Sequence, residues 1–253
     1  MSATRDSSHA RDGEEPLTGK VVVVAGGTGN VGEGIVRAFL SAGATAVVPG
    51  RTPQRLDDLA DLVGRELRAR LVGFAAPYGT FDEANALAER VLADHGRIDH
   101  VVASIGGWWG GETIWKTSHE VYQRYFIDIV TSHLGVARAF VPRMEEEGSY
   151  TLITGFSAAD PYPKAGVISM QGSALVMMRR VFSAELRGSP RLNDLLLGPI
   201  ITRGRPKGNP SWLTADQVGE AAVAVALSGA IRDRTVQIQD QTQLEAIRRE
   251  TRG

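Results

Sequence analysis

Short runs of consecutive apolar residues alternate with longer stretches of helical period along this chain. VVVVA (21–25), TAVVP (45–49), RLVGFA (70–75), DHVVASIG (99–106), SYTLITG (149–155) and RLNDLLLG (191–198) are the apolar runs. Each is short enough for a strand, and most are apolar on both faces, as strands covered from two sides must be. Between them, apolar residues recur at helical spacing over about 31–42, 53–69, 81–95, 118–147 and 168–187, with Gly43 where the first helix should be capped. Strand and helix in regular alternation predict βαβ units, hence an α/β fold with one doubly wound parallel sheet and helices on both faces.

Length and composition leave that picture standing and remove several functions. The chain has 253 residues and 27.1 kDa, with no internal repeat, low-complexity linker or change of composition. One domain is therefore expected over 18–242, preceded by a disordered segment at 1–17 and followed by a tail at 243–253. A net charge of −1, from 28 Lys+Arg against 29 Asp+Glu, offers no electrostatic reason for nucleic acid or an anionic membrane as partner. The absence of cysteine excludes disulfides, thiolate nucleophiles and Cys-based zinc sites. The apolar runs are too short to span a bilayer, and the N-terminus lacks the apolar core of a signal peptide, so a cytoplasmic location is expected.

The first strand runs into AGGTGNVGEGIV (25–36), where Gly26, Gly29 and Gly32 stand three apart before a helix. Glycines there permit a tight turn and close backbone approach, so a pyrophosphate can rest on the helix N-terminus, with Thr28 and Asn30 in the same turn. That context makes the fold Rossmann-like. A glycine-rich connection that only packs helix on strand is the alternative. The second strand ends in PGRTPQR (49–55), with Arg51, Thr52 and Arg55 and no carboxylate. Arginine at this place suits a 2′-phosphate, so NADP(H) is expected rather than NAD; a surface arginine opening a helix is the plainer reading.

From Thr18 to Asp240 the chain resembles the short-chain dehydrogenase/reductases. GRIDHVVASIGG (96–107) is similar to that family's GxxDxxVNNAG strand, DIVTSHLGVARAFVPRM (128–144) to its long interface helix, and RLNDLLLGPIITR (191–203) to its RVNxVxPGxxxT segment. The resemblance implies cofactor contacts at Gly106 and Thr202. It also exposes a departure. Aligned on AEL (184–186), the family's active-site tyrosine falls on Ile168, its lysine on Gly172, its serine on Gly155 and its asparagine on Ile129. Isoleucine and glycine carry no titratable proton and no side-chain donor, so the family's usual proton relay is not expected to run. Ala75 and Ala76 also replace the Asp-Val pair that meets adenine in the family.

Four residues are candidates for a relocated acid or base: Tyr162, Lys164 and Asp160 in GFSAADPYPKAG (155–166), and His133, one helical turn beyond Ile129. The plainer readings are a polar loop and a helix-packing histidine. His119 and His95 read as surface residues. Trp108 and Trp109, with Ser157 and Tyr162, are expected to line a small-molecule pocket, apolar and aromatic in character; one core ring and one interface ring is the alternative. The resemblance further implies a homodimer or homotetramer through the helices at 118–147 and 168–187. Three functions remain: an NADP(H)-binding protein with divergent chemistry on a small apolar or aromatic molecule, a non-redox cyclase, isomerase or lyase in the same cleft, and an inactive nucleotide-binding sensor or scaffold subunit.

Overall fold

The computed structural model describes residues 15–250; the expected disordered stretch lies outside the described residues except for its last three. Seven parallel strands form the central sheet in the order β3-β2-β1-β4-β5-β6-β9. They are β1 (Val21–Ala25), β2 (Thr45–Gly50), β3 (Leu71–Ala75), β4 (His100–Ala103), β5 (Ser149–Gly155), β6 (Arg191–Leu197) and β9 (Thr235–Ile238). A second, two-stranded pair, β7 (Ile200–Ile201) and β8 (Leu213–Thr214), closes a loop beyond β6. The chain turns from β3, at one edge, back across β1 to β4, which creates the crevice at the C-terminal strand ends where doubly wound folds take ligands.

Alternation along β1 divides the interior. Val22 and Val24 face a core shared with helices α1 (Gly32–Ser41), α2 (Pro53–Val63), α8 (Ala215–Leu227) and α9 (Gln241–Glu250). Val21, Val23 and Ala25 face the other core, built with α4 (Phe81–His95), α6 (Asp128–Phe140) and α7 (Gly166–Leu186). Helices α1 and α8 touch backbone to backbone, because a Cβ on Gly219 would lie 2.3 Å from the Gly34 carbonyl oxygen. Below the sheet, Arg191 is buried and its guanidinium donates to the carbonyls of Val225, Ala226 and Ser228, satisfying the last turn of α8. Arg179 of α7 pairs with the fully buried Asp194 at 2.7 Å. Such a pair is worth little against an apolar substitute but costs much when one partner is removed.

The boundaries differ from expectation in four places. The helix expected over 53–69 breaks at Gly64 (φ +81), leaving α2 and the short α3 (Arg65–Arg68). The stretch at 118–147 is not one regular helix: α5 (His119–Tyr122) passes into a π turn at Gln123–Ile127 before α6, and a 3₁₀ turn at Val141–Arg143 containing Pro142 ends it. Leu17, assigned to the lead-in, is buried, and its N–H donates to the Ala42 carbonyl at 2.7 Å. The expected C-terminal tail is instead ordered as α9 through Glu250, with Leu244 and Ile247 buried, so the domain extends past 242 at both its apolar face and its backbone.

Candidate active-site cleft

At the phosphate end of the crevice, Gly26 has φ +86, and a Cβ there would sit 2.2 Å from the carbonyl oxygen of Ser104 at the end of β4. Only glycine fits both constraints. A Cβ on Gly32 would lie 2.1 Å from the Gly26 carbonyl oxygen, and the Gly29 N–H donates to that same oxygen at 2.9 Å. The turn is thereby tied across itself. Among the described residues the amides of Asn30, Val31 and Gly32 donate no hydrogen bond, and Val31 caps α1 without a side-chain acceptor. Donors left free at a helix N-terminus fit a pyrophosphate. Two residues of this region escaped the sequence reading. Glu33, almost fully buried, pairs with Arg203 at 3.3 Å, bringing the segment after β7 over the turn.

Tyr78 is the other. It follows β3 in the loop that meets the crevice, half-buried, and burial pushes its hydroxyl above the ordinary tyrosine value. The Gly26 backbone and the Arg51 and Arg55 guanidiniums work in the opposite direction, which places all four in one neighbourhood. Arg51, Thr52 and Arg55 are exposed, with Thr52 as the N-cap residue of α2. An aromatic hydroxyl just beyond a strand end was the available signal, hidden by the Pro77 before it and Gly79 after it.

The reaction end is apolar. Ile168 and Gly172 are buried positions of α7. A Cβ added to Gly172 would meet the Cβ of Ala158 at 2.8 Å and the Thr154 hydroxyl at 3.1 Å, so any side chain here requires Ala158 to shift. Ile129 packs beside Gly106 (φ +145), with its methyls 3.8 and 3.9 Å from the point where a Cβ would stand. The Ser157 hydroxyl lies 3.3 Å from the corresponding point on Gly155. Ser157 also lines an open cavity of about 450 Å³ with Phe126, Pro161, Met170 and the hydroxyls of Ser169 and Ser173.

The residues expected to carry relocated chemistry are not gathered at one point. His133 is 0% exposed; its Nε2 stands 2.8 Å from the Ile105 carbonyl, and burial pulls its pKa down to about 4. The ring is buried on α6, and its Nε2 donates to the carbonyl of Ile105 just beyond β4, which ties the two elements together. Tyr162 and Lys164 stand on the outer lip: the Tyr162 ring meets Trp108 edge-on at 5.4 Å, and the Lys164 carbonyl accepts from the Gly111 N–H at 2.8 Å. Asp160 is exposed. Trp108 and Trp109 part company, the first 63% exposed and the second half-buried 6.3 Å from Tyr125. His119 is exposed as expected, whereas His95 is partly buried, its Nε2 without a hydrogen-bond partner. Thr202 forms a tight turn with Arg205 through reciprocal backbone bonds of 3.1 and 3.0 Å. Among the described residues no cluster of three or more His, Cys, Asp or Glu is placed to hold a metal, and no helix is long and apolar enough to cross a membrane.

A family model described as enoyl-(acyl carrier protein) reductase matches residues 13–231, most of the chain. The chain belongs to the short-chain dehydrogenase/reductase family. Mouse dehydrogenase/reductase SDR family member 4 is 28% identical over 207 residues, covering 79% of this chain and 73% of that protein. A short-chain type dehydrogenase/reductase from Mycobacterium ulcerans superimposes with a TM-score of 0.80 at 21% identity, over 90% of this chain and 91% of that one. A blue fluorescent protein from a metagenomic library, solved in complex with NADPH, gives a TM-score of 0.76 at 20% identity over 89% of this chain and 98% of its own. These similarities agree with the sheet order and with a nicotinamide cofactor for the family.

Proposed function

We propose that this short-chain dehydrogenase/reductase binds NADP(H) and acts on a small apolar or aromatic molecule without the tyrosine–lysine proton relay of its relatives. The observation that carries the reading is the pair at 168 and 172: a Cβ on Gly172 would crowd that of Ala158 at 2.8 Å, while Ile168 one turn before it is buried and cannot donate a proton.

The nucleotide end supports the cofactor. The amides of Asn30, Val31 and Gly32 would hold the pyrophosphate, Arg51 with Thr52 the 2′-phosphate, and Gly106 and Thr202 the nicotinamide half. NADPH in complex with one structural neighbour is consistent with that assignment. When bound, the nicotinamide supplies or accepts a hydride. What this chain adds is an apolar wall from Ile129 and Ile168, a hydroxyl at Ser157 able to donate to a polarised ligand atom, and an aromatic lip of Trp108 and Tyr162 that keeps water from the ligand. The exposed Met170, Met177 and Val181 on α7 suit a subunit contact, so a homodimer is part of the same proposal.

Calorimetric titration of the purified chain with NADPH, NADP and NAD at fixed salt tests the reading. NADP(H) should bind at least tenfold more tightly than NAD, and Arg51→Ala should erase most of that preference. Equal affinities before and after that substitution would remove the cofactor assignment. Turnover of simple ketones by the wild type at the rates of ordinary family members would remove the divergent chemistry.

A further inference from the structure

The Glu33–Arg203 pair lies where the dinucleotide's most charged part would come to rest, and neither residue belongs to the glycine pattern. Glu33 is the second residue of α1, directly beside the free amides, and its carboxylate is 5% exposed while the Arg203 side chain is 60% exposed. The guanidinium reaches Glu33 Oε2 through both Nε and Nη2, at 3.4 and 3.3 Å. These are long contacts, made by an exposed cation to a buried anion. The same segment touches the turn a second time, because a Cβ on Gly204 would stand 2.7 Å from the Asn30 side-chain nitrogen. The reciprocal Thr202–Arg205 backbone bonds stiffen it, and the Arg205 guanidinium is anchored on the Ile200 carbonyl at 2.7 Å while lying 5.1 Å over the Trp212 ring.

A buried carboxylate beside a phosphate site is unfavourable unless a cation is shared, since like charges at such range repel by kilocalories even in a partly aqueous setting. Arginine suits that role through its fork of donors and weak hydration. We infer that Arg203 is a positioning residue shared between Glu33 and the dinucleotide pyrophosphate, so that occupancy of the glycine turn draws segment 202–212 over the cofactor. The inference rests on the NADP(H) reading above and adds the residue that makes an acidic turn tolerate a diphosphate.

Two ligands separate the ends of the site: NADP, which carries the pyrophosphate, and adenosine 2′-monophosphate, which carries only the phosphate facing Arg51. In calorimetry on the full chain, Arg203→Gln should weaken NADP about tenfold and leave adenosine 2′-monophosphate within about twofold, while Glu33→Gln should tighten NADP about threefold. NADP affinity unchanged in Arg203→Gln, with both ligands still bound by the wild type, overturns the role of Arg203 alone. Binding of neither ligand by the wild type overturns the cofactor reading and this inference with it. Trypsin supplies an arm that needs no variant: cleavage of the wild type after Arg203 and Lys207 should slow with NADP and not with adenosine 2′-monophosphate. Equal rates with both ligands overturn the inference.

Discussion

The two ends of one crevice have been treated differently. At the phosphate end, between β1, β2 and β3, glycines stand where backbones nearly touch: Gly26 against Ser104 and Gly32 against Gly26 leave no tolerance for a side chain. At the reaction end, between β4, β5 and α7, glycine has another use. Gly172 is packed against Ala158 and Thr154, and Ile129 and Ile168 fill the remaining ground with hydrocarbon. Glycine as a requirement of backbone geometry and glycine as the residue left in a filled space look identical in a sequence. Their surroundings tell them apart: the glycines of the turn meet backbone, whereas Gly172 meets Ala158 and the Thr154 hydroxyl, beside the buried Ile168.

The largest effect should come from the phosphate end. Gly26→Val combines a positive φ with a clash against backbone, so a loss of about 4 kcal/mol or more in unfolding free energy is expected. Urea denaturation showing less than about 1 kcal/mol would mean that the turn is looser than its distances.

Acid should come next for each group taken singly, and it acts through His100 on β4 and His133 on α6. His100 and His133 both have pKa values pulled by burial to about 4 from 6.5, so each binds a proton more readily when unfolded. Stability is then fully present above about pH 6.5 and falls as pH drops toward 4, by roughly 3 kcal/mol for each group. A flat profile between pH 7 and 4.5 would contradict the sealed positions of both rings. His133→Leu should remove about half of the slope, whatever it does to absolute stability.

Gly172→Lys belongs lower on the scale. Overfilling the contact with Ala158 and Thr154 should cost about 1–3 kcal/mol, and the pair Ile168→Tyr, Gly172→Lys should gain no carbonyl-dependent NADPH oxidation. A clear gain of turnover would show the reaction end to be as well preserved as the phosphate end, which breaks the comparison. Smallest of all is Trp108→Ala. An exposed ring should change stability by no more than about 0.5 kcal/mol, yet it removes the face on which Tyr162 rests, so weaker binding of aromatic ligands at unaltered stability would sharpen the assignment of the lip.

What the sequence made legible follows from the range of the forces involved. The run SYTLITG defines β5 at both ends, and β1, β2, β3, β4 and β6 were found within a few residues, because a strand covered on both faces must be apolar throughout; the edge strand β9, whose four residues alternate exposed and buried, was missed. The break at Gly64 was missed because a lone glycine is tolerated within a helical period. The π turn at 123–127 keeps that period nearly intact, so nothing local announces it. In the site, the glycine turn could be read directly from its spacing. His133 could not, since its role depends on Ile105, 28 positions away, and Glu33 is matched to Arg203 across 170 positions. Contacts of that span are made only by the folded sheet.

The contact between Gly26 and Ser104 also fixes how the protein can change over generations. The floor beneath the phosphates and the start of the ligand lip press on each other with no side chain between them, so they are inherited as one mechanical piece. Side chains are barred at Gly26, whereas position 104 meets it through a carbonyl that any residue carries, so variation is open there and at Trp108 beyond it.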